Sequence, residues 1–391
     1  MGEEQLAANY TREMEFRPYW KTRWLMIALL MLPTLVWCGY SLLHPNTKKN
    51  GDKLYRLIEV PVHAEQTSPW VMQESGTKAG LRGIDSVDGK IAWASGTGGT
   101  VLKTIDGGEH WQKCAVPDGD KDGATLDFRG VQAWDATTAI VMASGPGDKS
   151  RLYKTADGCK SWTEIVRNHE KDGFWDAFNM NGPNVIFGDP VGGYFTILSS
   201  SDDGKTWTSV REPGLESNEK EGAFAASNSS LYWEAIDDIV VLASGGPSGA
   251  RVLFHCEDCT KRKWIAVPVP VFARSQSAGI FSIYRGISSH WVAVGGDYVK
   301  PNESAGTAAF SKDGGKTWAA ASKPPHGYRS SVQWNQDLKA WITVGTDGSD
   351  ISRDDGKTWQ PLDDGNWNAL SLPFVVGPKG RIARLSQIPV K

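Results

Sequence analysis

Four arginines recur in similar short surroundings: Arg82 in "LRGI", Arg129 in "FRGV", Arg285 in "YRGI" and Arg329 in "YRSS". A guanidinium is a planar fork of donors that grips a carboxylate through two parallel hydrogen bonds, so a group of them reads as an anion-binding device. Two carboxylates, Asp189 in "FGDP" and Asp297 in "GGDY", stand in turns beside them. The competing use is internal, with the arginines paired to Asp176, Asp189 and other acids to fill a polar channel. Glycoside hydrolysis would need two placed acid/base or nucleophilic groups. Glu221, Tyr232, Glu234, Asp176 and Asp189 are available, but no spacing singles out a pair. The segment "HCEDC" reads as a local disulfide between Cys256 and Cys259, with free thiols or a metal or redox site as alternatives. A zinc site normally takes a second ligand pair. No phosphate-cradling loop, nucleophile elbow or metalloprotease helix appears, so neither cofactor nor metal is expected.

These residues sit on a repeated framework. The stretch "SRDDGKTW" (352–359) recurs as "SSDDGKTW" (200–207), "SKDGGKTW" (311–318), "TIDGGEHW" (104–111) and "TADGCKSW" (155–162). Self-similarity every 40 to 60 residues or so signals a repeat architecture. The aspartates, Asp106, Asp157, Asp202, Asp313 and Asp354, can accept hydrogen bonds from backbone N–H groups that a turn leaves unpaired. The following glycine can take a positive φ. The tryptophans, Trp111, Trp162, Trp207, Trp318 and Trp359, open an outer strand and bury a large ring between neighbouring units. These residues are structural.

Before each box lie an apolar strand, a glycine-rich turn and a second strand, as in "IAWASGTGGTVLKT". Another strand lies upstream and one more follows the tryptophan. Four short antiparallel strands per unit make a propeller blade. Five boxes mark five blades. A degraded sixth, "HCEDCTKRKW" (255–264), keeps the tryptophan, and "WNALSLPFVVGPKGRIARL" (367–385) supplies three strands of a seventh. The expected architecture is therefore an all-β, seven-bladed propeller over residues 68–387. Its last blade is completed by residues 70–75, "WVMQES", which would remove an open edge.

The pattern S/T-x-D-x-G-x-T/S-W resembles the Asp-box, or BNR repeat, of bacterial sialidases and sortilin-type receptors. The fuller unit "ASGTGGTVLKTIDGGEHW" is similar to the seven-bladed photosystem II stability/assembly factor family. That resemblance implies a fold and a mostly secreted, lumenal or periplasmic setting; Asp-boxes serve hydrolases, receptors and assembly factors alike. This chain departs from the pattern at Cys159, which replaces the box glycine, and at His110, which replaces a threonine. Sialidases hold a substrate carboxylate with three arginines, but their Arg-Ile-Pro signature is absent. In such blades the first strand lines the channel. The sequence thus predicts that Arg82, Arg129, Arg285 and Arg329 ring one mouth, with Asp189 and Asp297 beside them, on the face opposite the boxes.

The near-neutral balance of the 391 residues, net charge −3, carries no electrostatic footprint for nucleic acid. Residues 24–43 run without a charge for about 20 positions, enough to cross a bilayer. They read as a retained transmembrane helix between a cytoplasmic tail (1–23) and a linker (44–67). A cleaved signal would want a small residue where "LVWC" has Trp37. The whole reads as a propeller anchored in the bacterial inner membrane and facing the periplasm. It would bind a protein partner of a membrane complex, or a carboxylate-bearing ligand, as an assembly or scaffolding factor. The alternative is a sialidase-like hydrolase or a lectin using the arginine mouth.

Overall fold

The computed structural model describes residues 68–386, apart from 236–237, 257–262, 271, 273 and 288 and the side chains of Cys256 and Lys263. The apolar segment 24–43 and the expected Cys256–Cys259 bridge lie outside the described residues. Among the described residues no helix is long and apolar enough to cross a membrane.

Among the described residues the strands form seven four-stranded antiparallel sheets. Their inner strands are Leu81–Ser86, Phe128–Ala133, Trp175–Asn179, Leu231–Glu234, Ala278–Arg285, Ser331–Asn335 and Ala369–Ser371. Each adjoins the inner strands of both neighbouring blades, and the first also adjoins the seventh, so the blades close into a ring. The chain is a seven-bladed propeller. Its second strands are almost continuously apolar and buried, for example Ala139–Ala143 and Trp291–Asp297. Sheets buried on both faces give such runs, and here each blade is covered by a neighbour on either side. The outer strand of the seventh blade is Trp70–Gln73, paired antiparallel with Ile382–Leu385 from Trp70 opposite Leu385 to Gln73 opposite Ile382.

The eight-residue boxes are the turns from third to outer strand. In "SRDDGKTW", Asp354 Oδ1 accepts from the Thr358 N–H at 2.9 Å and Oδ2 from the Thr358 hydroxyl at 2.7 Å. The Ser352 hydroxyl donates to Asp354 and accepts from the Gly356 N–H at 3.0 Å. Gly356 has φ +79°, a conformation that side chains resist. Trp359 is fully buried against the fifth blade, and its indole N–H donates to the Gly356 carbonyl at 3.0 Å. In the second blade Cys159 adopts φ +67° at the glycine position, and its sulfur is bonded to Cys114, with 5.3 Å between the Cα atoms. That disulfide ties the box of one blade to the segment leaving the blade before it.

Candidate functional site

Inner strands begin on the face opposite the boxes, and four of them begin with an irregularity. The register slips between Leu81 and Gly83, Phe128 and Gly130, Trp175 and Ala177, and Ile280 and Ser282. A bulge leaves one residue unpaired and re-aims its side chain. The four bulged residues are Arg82, Arg129, Asp176 and Phe281, and all four line one depression of about 1030 Å³. Small residues follow them, and at the two glycines the neighbouring strands leave no room for a side chain. A Cβ on Gly83 would stand 2.5 Å from Ser95 Oγ, and one on Gly130 would stand 2.9 Å from the Phe178 ring.

The remaining blades reach the same ring by backbone pairing. Leu81 donates its N–H to Gly377, Ile280 to Ser244, Arg329 to Gly295 and Trp367 to Gly345, each carbonyl lying on the preceding blade. The equivalents of Arg82 in the sixth and seventh blades are therefore Ser330 and Asn368, which also line the depression.

This register corrects the expected ring of four arginines. Arg82 and Arg129 do meet: Arg129 Nε donates to Asp127 Oδ2 at 2.9 Å, and Arg82 Nε lies 3.3 Å from the same oxygen without an aligned hydrogen bond. Arg285 ends its strand instead of beginning it, which puts it on the box side, paired to Glu234 at 2.6 Å. Arg329 occupies the buried position before the channel residue. Its guanidinium holds the equally buried Asp350 through Nε at 2.7 Å and Nη2 at 2.5 Å, and its Nη1 donates to the Tyr328 carbonyl. Burial lowers its proton affinity, and Asp350 opposes that effect. It serves as a structural ion pair. Asp189 does line the depression and accepts from the Ala223 N–H at 2.9 Å. Asp297 lies elsewhere, taken up by the Ser275 hydroxyl and the Val299 N–H.

Asp176 is the residue that gains most in importance. It is 2 % exposed, and its Oδ2 has no hydrogen-bond partner. Burial, and after it the charge of Asp189, push its carboxyl well above the ordinary range, while Arg129 pulls it down. Burial raises Asp189 as well. Three polar atoms of one cluster are thus buried and unsatisfied: Arg82 Nε, Asp127 Oδ1 and Asp176 Oδ2. Buried orphans are costly, and ordered water or a bound polar group is what pairs such atoms.

The opposite wall of the depression is aromatic. Phe224 and Phe281 stack at 4.0 Å, and Tyr298 and Tyr328 pack edge-on against Phe281. Tyr298 is 53 % exposed. Of the other hydrolysis candidates, Glu221 is clamped by Arg251 at 2.5 Å and Glu234 by Arg285. Sequence reasoning missed this wall; the signal for one of its residues, Phe281, is "IFSI", an apolar-x-small-apolar run equivalent to "LRGI" and "FRGV".

The fold is shared by known proteins. This chain is similar to the Ycf48 propellers. It is 20% identical over 352 residues to a photosystem II assembly lipoprotein, Ycf48, of Synechococcus sp. (strain CC9902), covering 85% of this chain and 93% of that protein. Its fold matches a structure of Ycf48 bound to a D1 peptide, with TM-score 0.56 and 17% identity over 82% of this chain and 97% of that one. It also matches Ycf48 from Cyanidioschyzon merolae, with TM-score 0.54 and 19% identity over 81% and 98% of the two chains. No family model matches the chain.

Proposed function

We propose that this propeller binds an acidic segment of a protein partner at the Arg82–Arg129 mouth and acts as an assembly or scaffolding factor for a membrane complex. The observation that carries the reading is the convergence of two arginines, from adjacent blades, on the single carboxylate of Asp127. Two guanidiniums against one acid leave an excess of positive charge at that pair, beside Asp172, Asp176 and Asp189 of the same depression, and such an excess attracts anions. The aromatic wall adds apolar contact of the kind that anchors partners. Similarity to Ycf48, one structure of which holds a D1 peptide, supports a peptide as the occupant. In this reading residues 24–43 anchor the protein in the bacterial inner membrane and the propeller faces the periplasm. The Cys114–Cys159 bridge supports an oxidising compartment.

The alternative, a sialidase-like hydrolase or lectin, would use Asp176 and Asp189 on a sugar. The other acids that could serve, Glu221 and Glu234, are held in ion pairs with Arg251 and Arg285, and the Arg-Ile-Pro signature is absent, which favours binding over hydrolysis. The test is capture of the solubilised full chain from its native membrane. The wild type is expected to bring down defined membrane subunits, and Arg82→Ala/Arg129→Ala to lose them with its melting temperature little changed. Retention of the same subunits by the double variant would remove this mouth as the working surface.

A further inference from the structure

We propose that Asp176 sets the specificity of this mouth: it carries a proton and donates a hydrogen bond to the anion held by Arg82 and Arg129, so that ionisation of Asp176 releases that anion. The inference rests on the binding reading above and adds a regulated second contact to it.

Trp175 pairs with Gly188 and Ala177 with Phe187, so Asp176 is the unpaired residue between them, beside the strand Asn184–Val191 that carries Asp189. It lines the depression together with both arginines. Its Oδ2 is buried without a partner. An ionised carboxylate in that position would be a buried charge with an unused acceptor, whereas a neutral acid leaves one O–H donor waiting. A carboxylic acid kept neutral by its surroundings is an established donor to an oxyanion.

The groups around it decide when it ionises. Asp189 faces it from the next strand of the same blade, and Arg129 from the second blade. Asp172 and Lys220 line the rim, Arg82 stands beyond Arg129, and Glu221 is already neutralised by Arg251. Burial and the neighbouring charge of Asp189 keep the proton on Asp176, against Arg129 and the backbone N–H groups of Asp189 and Ala225. While the proton stays, the guanidiniums face the ligand. Once it leaves to solvent, the new carboxylate competes for Arg129 and repels the bound anion.

The test uses the full chain in detergent and a dye-labelled tetraglutamate peptide, read by fluorescence anisotropy from pH 6 to 9 at fixed ionic strength. The peptide stays ionised throughout. Wild-type affinity is expected to fall by about tenfold or more across the range. Asp176→Asn cannot ionise, so its affinity, whatever its level, should be the same at pH 6 and pH 9. Asp189→Asn removes the repelling charge and should move the fall to lower pH. Difference infrared spectra of the wild type at pH 7 should show a protonated carboxyl band that Asp176→Asn lacks. A flat wild-type profile with arginine-dependent binding, or absence of that band, overturns the role of Asp176 and leaves the binding site standing. Peptide binding indifferent to Arg82→Ala/Arg129→Ala overturns both.

Discussion

Asp85, near the end of the first inner strand, accepts the Ala133 N–H of the neighbouring blade at 2.7 Å. Burial raises its carboxyl to about 6, against the opposing effect of that bond. The sign follows from linkage: a group held above its unfolded value favours the folded state when protonated, so its contribution is lost as pH rises from about 4 through 6. The loss is worth about 1–2 kcal/mol once its partial solvent contact is allowed for. Asp85→Asn keeps an acceptor and removes the charge. It should therefore match the wild type at pH 4 and exceed it at pH 8 in urea titrations; equal midpoints at both values would show that the carboxylate is solvated. The box aspartates run the other way. Hydroxyl and backbone donors hold Asp157, Asp202 and Asp313 at about 2, so their contribution disappears as pH falls below about 4. Asp354→Ala strips the acceptor from two Thr358 donors and should cost ~1–3 kcal/mol by chemical denaturation. Peptide affinity of the folded fraction should not change, since the box lies on the far face. Lost binding at full stability would invert the assignment of faces.

At the scale of strands and turns, the boxes were readable because each position answers a local demand: an acceptor, a positive φ, an anchoring ring. The channel register was harder to read. Connections between blades vary in length, and the fifth inner strand, Ala278–Arg285, is longer than the first, Leu81–Ser86. Matching arginine to arginine therefore slid the fifth blade by most of a strand. Matching the small residue after the channel position (Gly83, Gly130, Ala177, Ser282, Ser331, Ala369) would have placed Phe281, Ser330 and Asn368 at the mouth and Arg329 behind it. The Cys114–Cys159 bridge was not legible from spacing, because its halves meet only when two blades are packed. Its one local clue was a cysteine where the box wants glycine. Closing a loop of sequence separation 45 is worth about 4 kcal/mol on a chain-entropy account. Reductant should lower the wild-type urea midpoint by a matching amount. Cys114→Ala/Cys159→Gly should recover part of that loss, because glycine takes φ +67° without strain. A double variant no better than the reduced wild type would deny the backbone contribution.

For the ring as a whole, the decisive joint is the seventh blade. Trp70 is 4 % exposed, packs against Trp367 with centroids 6.1 Å apart, and donates its indole N–H to Ser349 at 2.9 Å. Losing so large a buried aromatic costs ~3–5 kcal/mol, and the third strand loses its ladder partner as well. A chain beginning at residue 80 should melt far below one beginning at residue 66, or aggregate. Equal melting temperatures would show that the closure is dispensable. The same joint imposes a schedule on biosynthesis. The Ser386 hydroxyl donates to the Pro69 carbonyl across a separation of 317 residues, so the strand made first pairs with the strand made last. At roughly 5–20 residues per second, Trp70–Gln73 waits on the order of 15–60 s for its partner. Throughout that interval six blades can form while the seventh remains an open hem. Any factor that shields residues 70–73 during translation would act on the last step of folding, the moment at which the ring is sealed.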